Sequence, residues 1–385
     1  MTQGSSALRI LQLNMRHSSY SLDLLIQFLQ TDRHDIVLIQ DPPVALQSGR
    51  RSLPGYEVFL SRPCNWQPNN PSARRSLTAI LARTSLRSQP CPGTFRRACG
   101  ILVETRQGKV ALITAYIRHL RGEGLEDLST LVERTRMLTP FVAIGADVNG
   151  HSAWWGPPQL PSNANGQLVE DFILSQSLEV VNRWPSPATF ISEQGQESWI
   201  DVTLSSPQLL PLLTSWQVLP DFLGSDHCPI SFVIAESYPK HYDDRRLDWR
   251  SVSWCAFRSK LQFALESAFP TPLLPSTPEE LQTYYDVLDT ALQTTIAACV
   301  PLKRTCWASN PWWSPELELL RRDYIRTRRR WLRTRRREDK VTANAHQRSL
   351  RQAIATAKRD SWRRFCEEAS EENLWDAFKD RKSVV

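Results

Sequence analysis

Short runs of Val, Ile, Leu and Thr, each closed by Gly, Pro, Asn or Ser, recur through the first 235 residues. They predict strands at Leu8–Met15, Asp35–Asp41, Glu57–Arg62, Ser76–Arg83, Ala98–Thr105, Lys109–Ile117, Phe141–Asn149, Trp199–Ser205 and Ser231–Ala235. Between them the apolar spacing turns helical. Leu22, Leu25, Ile26 and Leu29 share one face, Leu125, Leu128, Leu131 and Val132 a second, and Leu168, Val169, Phe172 and Ile173 a third. Many strands with helices interspersed predict an α/β fold of layered sheets covered by helices.

Near Tyr238 the texture changes. Pro270-Thr271-Pro272 and Pro275–Pro278 read as connectors, and beyond Ser314 the pattern is purely helical. Ser314 is a candidate N-cap with Pro315 in the first helical position. Leu317, Leu320, Tyr324 and Trp331 follow at helical spacing. Leu350, Ile354, Ala357 and Phe365 repeat it after a polar break near Glu338–Asn344. Two long basic helices folded as a hairpin are expected. The chain therefore divides into residues 1–237, a linker region with short helices over 238–310, and a basic helical segment over 311–385.

Charge sharpens that division. Residues 1–235 hold 19 Lys and Arg against 19 Asp and Glu, while residues 236–385 hold 28 against 21, so the net charge of +7 sits in the C-terminal part. Between Arg321 and Arg364 there are 17 basic and 4 acidic residues. That is the footprint of a nucleic-acid or anionic-surface partner. The eight cysteines include no Cys-x-x-Cys pair, which argues against a zinc site or a disulfide framework and for reduced thiols in an intracellular protein. No apolar run approaches the ~20 residues of a membrane helix, so a soluble protein without a membrane partner is expected.

Polar residues mark the ends of the predicted strands. Asn14 ends the first, Asp41 the second and Tyr116 the sixth; Asp147 and Asn149 follow Phe141-Val142-Ala143-Ile144-Gly145. Asp201 lies in Ser198-Trp199-Ile200-Asp201, and Asp226-His227 precede the last strand. Taken singly, an Asn or Asp at a strand end is usually a turn-former, and Tyr116 a core aromatic. His151 reads as structural or as a phosphate neighbour. The ordered set points to phosphodiester cleavage, which needs a Lewis acid on a phosphate oxygen, a base for water, and donors for developing charge. Asp41 offers hard oxygen for Mg²⁺. Asp147 and Asn149, two apart on an extended segment, point to one side. An Asp201–His227 pair orients the imidazole and keeps it protonated.

The blocks Leu11-Gln12-Leu13-Asn14, Ile39-Gln40-Asp41-Pro42, Gly145-Ala146-Asp147-Val148-Asn149-Gly150-His151, Ser198-Trp199-Ile200-Asp201-Val202-Thr203 and Ser225-Asp226-His227-Cys228-Pro229-Ile230 resemble the endonuclease/exonuclease/phosphatase superfamily. The closest likeness is to the endonuclease domain of non-LTR retrotransposons. The resemblance implies a DNase I-like, four-layered sandwich of two β-sheets flanked by helices, followed by a mainly α-helical basic tail. It implies a divalent-metal-dependent endonuclease, with Mg²⁺ or Mn²⁺ as cofactor, that nicks target DNA in the nucleus. Carried over, Asp41 and Asn14 help hold the metal with Asp226 nearby. Tyr116, Asn149 and His227 contact the phosphate, Asp147 positions or deprotonates water, and Asp201 supports His227. The family has Glu where this chain has Asp41, one methylene shorter, which implies weakened activity with a Mn²⁺ preference.

The tail blocks Leu247-Asp248-Trp249-Arg250, Asn310-Pro311-Trp312-Trp313-Ser314-Pro315-Glu316-Leu317 and Lys358-Arg359-Asp360-Ser361-Trp362-Arg363-Arg364-Phe365 resemble the segment joining endonuclease to reverse transcriptase. No polymerase motif follows, so a fragment of a polyprotein and a truncated copy are both open. The basic helices either pack on a polymerase domain outside this chain or bind nucleic acid, DNA or element RNA, through Arg328, Arg329, Arg330, Arg335, Arg336 and Arg337. Candidate groove-reading loops are Arg62–Arg75, Arg118–Gly124 and Phe190–Glu197. An apurinic-site repair endonuclease and a decayed, non-catalytic nucleic-acid-binding remnant are the alternative readings.

Overall fold

A computed structural model of the chain describes residues 7–48, 53, 55–61, 76–93, 95–105, 108–118, 122–220, 223–235, 252–269, 277–300 and 312–368. The loop Arg62–Arg75, the connector Pro270-Thr271-Pro272, the first two residues of the connector Pro275–Pro278, the Leu247–Arg250 block and Asn310-Pro311 lie outside the described residues. The chain forms two compact units, residues 1–240 with 308–385, and residues 241–307.

The larger unit is built on two six-stranded sheets. The first contains β1 (Ala7–Asn14), β2 (Ile36–Gln40), β3 (Tyr56–Leu60), β4 (Thr78–Arg83), β13 (Leu213–Val218) and β14 (Ile230–Ala235), in the order β13-β14-β1-β2-β4-β3. The second contains β5 (Ser88–Pro90), β6 (Ala98–Thr105), β7 (Gly108–Tyr116), β8 (Phe141–Asp147), β9 (Glu179–Val180) and β12 (Asp201–Ser205), in the order β5-β6-β7-β8-β12-β9. A small hairpin pairs β10 (Phe190–Ile191) with β11 (Glu197–Ser198). The two sheets share one plan. β1 and β2 run parallel through the crossover helix α1 (Ser19–Thr31), the short α2 (Val44–Gln47) follows β2, and β7 and β8 run parallel through α3 (Leu125–Arg136); every other pairing is antiparallel.

The central strands are buried over most of their length, β2 (Ile36–Gln40) throughout, because both faces are covered. Helix α1, capped by Ser18 whose Oγ accepts from the Ser21 amide at 3.1 Å, buries Leu22, Leu25, Ile26 and Leu29 against the first sheet's core. Helices α3 and α4 (Ala164–Ser175) bury Leu128, Leu131, Val132, Val169, Phe172 and Ile173 against the second. The predicted four-layer sandwich is the observed architecture.

Between the sheets the core is not purely apolar. Gln12 on β1 donates to the Ala146 carbonyl at 3.3 Å and accepts from Thr203 Oγ1 at 3.0 Å. Gln40 on β2 donates to Thr114 Oγ1 at 2.9 Å and to the Gly145 carbonyl at 3.1 Å. Gly145 leaves room for this approach, since a Cβ there would lie 2.8 Å from Gln12 Oε1 and 2.9 Å from Leu38 Cδ1. An apolar interface lets two sheets slide. A hydrogen-bonded polar seam favours one register, because a slip would break these buried bonds, although Gln40 Oε1 itself has no partner. That register sets Asn14, two residues past Gln12, opposite Asp147, one residue past Ala146.

Several elements differ from the sequence reading. Five strands went unread (β5, β9, β10, β11, β13), and Phe190–Glu197, expected as a loop, is the β10–β11 hairpin. Helix α7 (Pro315–Thr334) has the expected Ser314 cap, accepting from the Leu317 amide. The break before α8 (Arg337–Glu368) is at Arg335-Arg336, and α8 runs unbroken through Glu338–Asn344. That stretch continues the helix with Asp339 and Ala343 buried, so packing holds it where its Asp, Val, Thr and Asn content would not. Gln347 bonds Tyr324 and Thr334 bonds Asp339, so α8 folds back along α7 as the expected hairpin. In the smaller unit, α5 (Trp254–Ala268) and α6 (Pro278–Cys299) are longer than the short helices expected; α5 packs around Val252, Phe257 and Val300. Among the described residues no helix is long and apolar enough to cross a membrane.

Candidate active site

Parallel strands that share a crossover end at the same edge of a sheet, and the seam brings both sheets' ends together. Asn14 ends β1, Asp41 follows β2, Tyr116 ends β7 and Asp147 ends β8. The strands β12 and β14 run the other way, so the same edge receives their starts, with Asp201 opening β12 opposite Asp147, and Asp226-His227 just ahead of β14. Asp201 thus begins its strand where the sequence placed it inside one.

At the centre, the His227 Nδ1 lies 2.9 Å from Asp201 Oδ2 and 3.1 Å from Oδ1. Both side chains are buried. The Asp201 carboxylate is carried on a fixed backbone, since the Ile200 and Asp201 amides donate to Thr189 Oγ1 at 3.1 and 3.0 Å. Phe190 packs edge-on against the imidazole, with ring centres 5.0 Å apart. Asp147 completes the group, and its carboxylate, that of Asp201 and the His227 imidazole bring ligand atoms within 4.8 Å of one another. Asn14 crosses from the other sheet to donate to Asp147 Oδ2 at 2.7 Å.

Asp147 and Asn149 do not lie on an extended segment as the sequence reading assumed. Asn149 is left-handed (φ 45), so its amide turns back to donate to Asp147 Oδ1 at 3.1 Å and its side chain donates to the Ile117 carbonyl at 3.0 Å. The same side chain bonds Tyr116. His151 has a backbone role, its amide donating to Asn163 Oδ1 at the cap of α4.

The electrostatics follow from burial. Asp147 is pushed up to about 7, first by loss of water and then by Asp201, with His227 and the Asn14 and Asn149 hydrogen bonds pulling the other way. For His227 burial opposes the charge, but the Asp201 carboxylate and its hydrogen bond, with Asp147 and Asp226, outweigh it and raise the group to about 9. Burial pushes the Tyr116 hydroxyl up to about 12, aided by Asp41 and Asp147, so it is a donor at neutral pH. Asp41 is also raised by burial, against His17, His227, Arg16 and Arg97.

Three basic residues that the sequence reading passed over face this site, Arg16, His17 and Arg97. Arg16 pairs with Asp226, and its amide donates to Asn14 Oδ1 at 2.8 Å. His17 Nε2 stands 3.5 Å from Asp41. Arg97, bound to Glu123 at 2.7 Å, adds charge near Asp41 and Tyr116. Position alone could have flagged Arg16 and His17, two and three residues past Asn14 at the end of β1.

The donor set suits a hard divalent cation. Asp41, Asp147, Asp201 and Asp226 are carboxylates, and burial destabilises the negative charge on Asp41 and Asp147, which a cation would relieve. The expected ligands Asp41, Asn14 and Asp226 sit on the strand edge around the Asp147–Asp201–His227 group, each already bonded to the protein, by His17, by Asp147 and the Arg16 amide, and by Arg16.

Residues 110–231 match a family model described as endonuclease–reverse transcriptase. The solved endonuclease domain of TRAS1, a telomere-specific non-LTR retrotransposon, superposes with a TM-score of 0.51 at 24% identity, covering 60% of this chain and 99% of that one. That likeness shows the fold, two mixed sheets flanked by helices, in common with the TRAS1 domain. Two further structures overlap less well. The AP endonuclease LMAP from Leishmania major gives a TM-score of 0.46 at 15% identity, over 61% of this chain and 90% of its own. A 3′ phosphatase, NExo from Neisseria, bound to a product DNA hairpin gives 0.42 at 17%, over 59% and 98%. No curated protein matches the chain. The domain's likeness to retrotransposon endonucleases, read first from its motif blocks, is thus matched by the family pattern over 110–231.

Of the six tail arginines singled out for nucleic acid, four contact the protein itself. Arg328 bonds Tyr324, Arg329 the Pro220 carbonyl, Arg330 Asp339, and Arg335 both Gly195 and Glu197. Arg336 and Arg337 are exposed.

Proposed function

We propose that the chain is a divalent-metal-dependent endonuclease that nicks DNA, serving as the target-nicking part of a non-LTR retrotransposon. The observation that carries this reading is the buried Asp201–His227 pair beside Asp147, assembled from two sheets at one strand edge. A histidine held charged near neutral pH next to a carboxylate poised near 7 is an acid–base arrangement.

In this mechanism Asp147 accepts a proton from the attacking water, with its orientation set by the Asn14 amide at 2.7 Å and the Asn149 backbone amide. Its raised proton affinity suits that task at neutral pH. His227 is fixed through Nδ1 by Asp201, and its charged Nε2–H faces the phosphate as negative charge builds on the non-bridging oxygens. Tyr116 and Asn149, bonded to each other, add neutral donors. Asp41, with Asn14 and Asp226 around it, would hold Mg²⁺ or Mn²⁺. That ion, when bound, supplies a Lewis acid for the phosphate and the leaving oxygen. The family pattern and the basic tail support a DNA substrate and a reverse transcriptase partner.

The test is nicking of supercoiled plasmid in Mg²⁺ and in Mn²⁺ by the full chain, with Asp147→Ala and His227→Ala as controls. Nicking abolished by both substitutions supports the proposal. Folded wild type inert with either metal would overturn it.

A further inference from the structure

The β10–β11 hairpin is the smallest paired element of the larger unit, two residues on each side, and it stands directly against the active site. At its base, Phe190 bridges to His227 and packs on the imidazole. The Ile191 amide donates to the Asp226 carbonyl at 2.9 Å, and the Cys228 amide donates to Thr189. Thr189 is also the residue whose hydroxyl fixes the backbone of Asp201. An isolated two-stranded hairpin of this length is marginal in water, so something must hold its far end.

Helix α7 does. Gly195, at the tip with φ 85, approaches so closely that a Cβ there would lie 3.0 Å from both Trp331 Cζ2 and Arg335 Nη1. Trp331 is 7% exposed. Arg335 ends α7 in the left-handed conformation (φ 57), which turns its side chain back toward the hairpin. Its Nη1 donates to the Gly195 carbonyl at 2.8 Å and its Nη2 binds the Glu197 carboxylate, with the guanidinium 5.9 Å from the Trp331 ring. Trp331 also belongs to the core that seats the helices, with Leu317, Tyr324, Leu350 and Ile354, whereas the Arg335 contacts go to the hairpin. Further contacts dock the helices elsewhere. Lys358 pairs with Asp23, and Arg351 lies 5.1 Å over the Tyr20 ring, both on α1.

We propose that Trp331 and Arg335 are positioning residues for the phosphodiesterase site. Helix α7 holds the β10–β11 hairpin at its tip, and the hairpin carries that order to His227 and Asp201 at its base. The basic segment is then part of the nuclease, where the sequence offered only a polymerase contact or a nucleic-acid grip. The inference rests on the function proposed above, and its test separates the two.

The full chain is compared with Trp331→Ala, with Arg335→Glu, and with Arg335→Glu combined with Glu197→Arg. Amide hydrogen exchange needs no activity. Faster exchange at Ile191 and Gln196 by about tenfold, with Leu25 in α1 unchanged, is the expected result for the two single variants. In plasmid nicking, both should lower kcat by about tenfold and leave KM within about twofold, because a displaced but intact site loses alignment and keeps its DNA contacts. The charge-swapped double variant, which restores the ion pair but not the bond to the Gly195 carbonyl, should recover exchange and kcat in part, well above the Arg335→Glu single variant. Unchanged exchange would overturn the proposal. So would a raised KM at constant kcat, which would make Arg335 a DNA contact. Wild type that fails to nick would sink the proposed function, while the exchange data would still decide whether α7 holds the hairpin.

Discussion

Asp201 acts on both groups that carry the proposed chemistry, so Asp201→Asn makes a prediction about a whole profile rather than one rate. The carboxylate raises His227 to about 9 and contributes to raising Asp147 to about 7. Both groups are buried, so solvent does not screen the effect. Against a free histidine at 6.5, a shift to about 9 is roughly 3–4 kcal/mol in favour of the charged imidazole. Asparagine still accepts from Nδ1–H, and the Thr189 contacts to the backbone remain. The fold should therefore survive while the charge is lost. Without the carboxylate, burial drives His227 downward, and Asp147 falls as its repulsion disappears. A pH–rate profile under single-turnover conditions should be bell-shaped for wild type, rising with deprotonation of Asp147 and falling with that of His227. In the variant both limbs should move to acid, with a loss of about a hundredfold at mildly alkaline pH that shrinks as pH falls. Histidine titration by NMR in the metal-free protein gives the same answer without turnover. A variant with an unmoved profile, or with His227 still titrating near 9, would refute the coupling.

Other consequences are open to direct measurement. Asp41→Glu, which restores the longer carboxylate implied by the family resemblance, should raise the Mg²⁺-supported nicking rate; Asp41→Ala nicking as fast as wild type would remove Asp41 from the metal site. Metal-free protein should lose stability as pH rises. The Asp147 penalty grows from about 4 to about 7, and the His227 contribution, full below about 6.5, is lost through about 9. Urea unfolding across that range tests it, and His227→Gln should flatten the alkaline part; an equally steep alkaline decline in that variant would contradict the assignment. Gly145→Ala pushes a methyl into Gln12 and Leu38 in the seam and should cost about 1–3 kcal/mol, an unchanged unfolding midpoint being the contrary result.

The strand edge was legible because apolar runs and the polar residues that close them are local features. Leu11-Gln12-Leu13-Asn14 and Ile36-Val37-Leu38-Ile39 announce both their strands and the residues at their ends. Pairing is a different matter. Nothing local says that Asn14 on one sheet will bond Asp147 on the other, because Gln12, Gln40, Thr114 and Thr203 do that work from positions that read as ordinary strand residues. The two-residue strands β9, β10 and β11 are too short to show a period. The α7–α8 break was misplaced because no glycine or proline marks it, and Arg335 takes a left-handed conformation that arginine seldom adopts.

That last kind of failure has a pattern. Among the described residues seven non-glycines have positive φ, and four of them, Arg16, His17, Asp41 and Asn149, surround the active site. A fifth, Arg335, grips the hairpin that carries Phe190. Each such residue costs about 1–3 kcal/mol unless its surroundings over-determine it, and the surroundings here do so. The His17 amide donates to the Asp41 carbonyl at 2.8 Å, the Asp41 amide to Leu77, and the Asn149 amide to Asp147. Where the backbone departs from what local preference would choose, it is aiming a side chain. Arg16 reaches Asp226, His17 reaches Asp41 and Asn149 reaches Tyr116, none of which a regular turn of the same residues would accomplish. Most of these departures from local preference, five of the seven, are thus where the site and its supporting hairpin are assembled, and the stability spent there is supplied by two sheets whose central strands are largely buried.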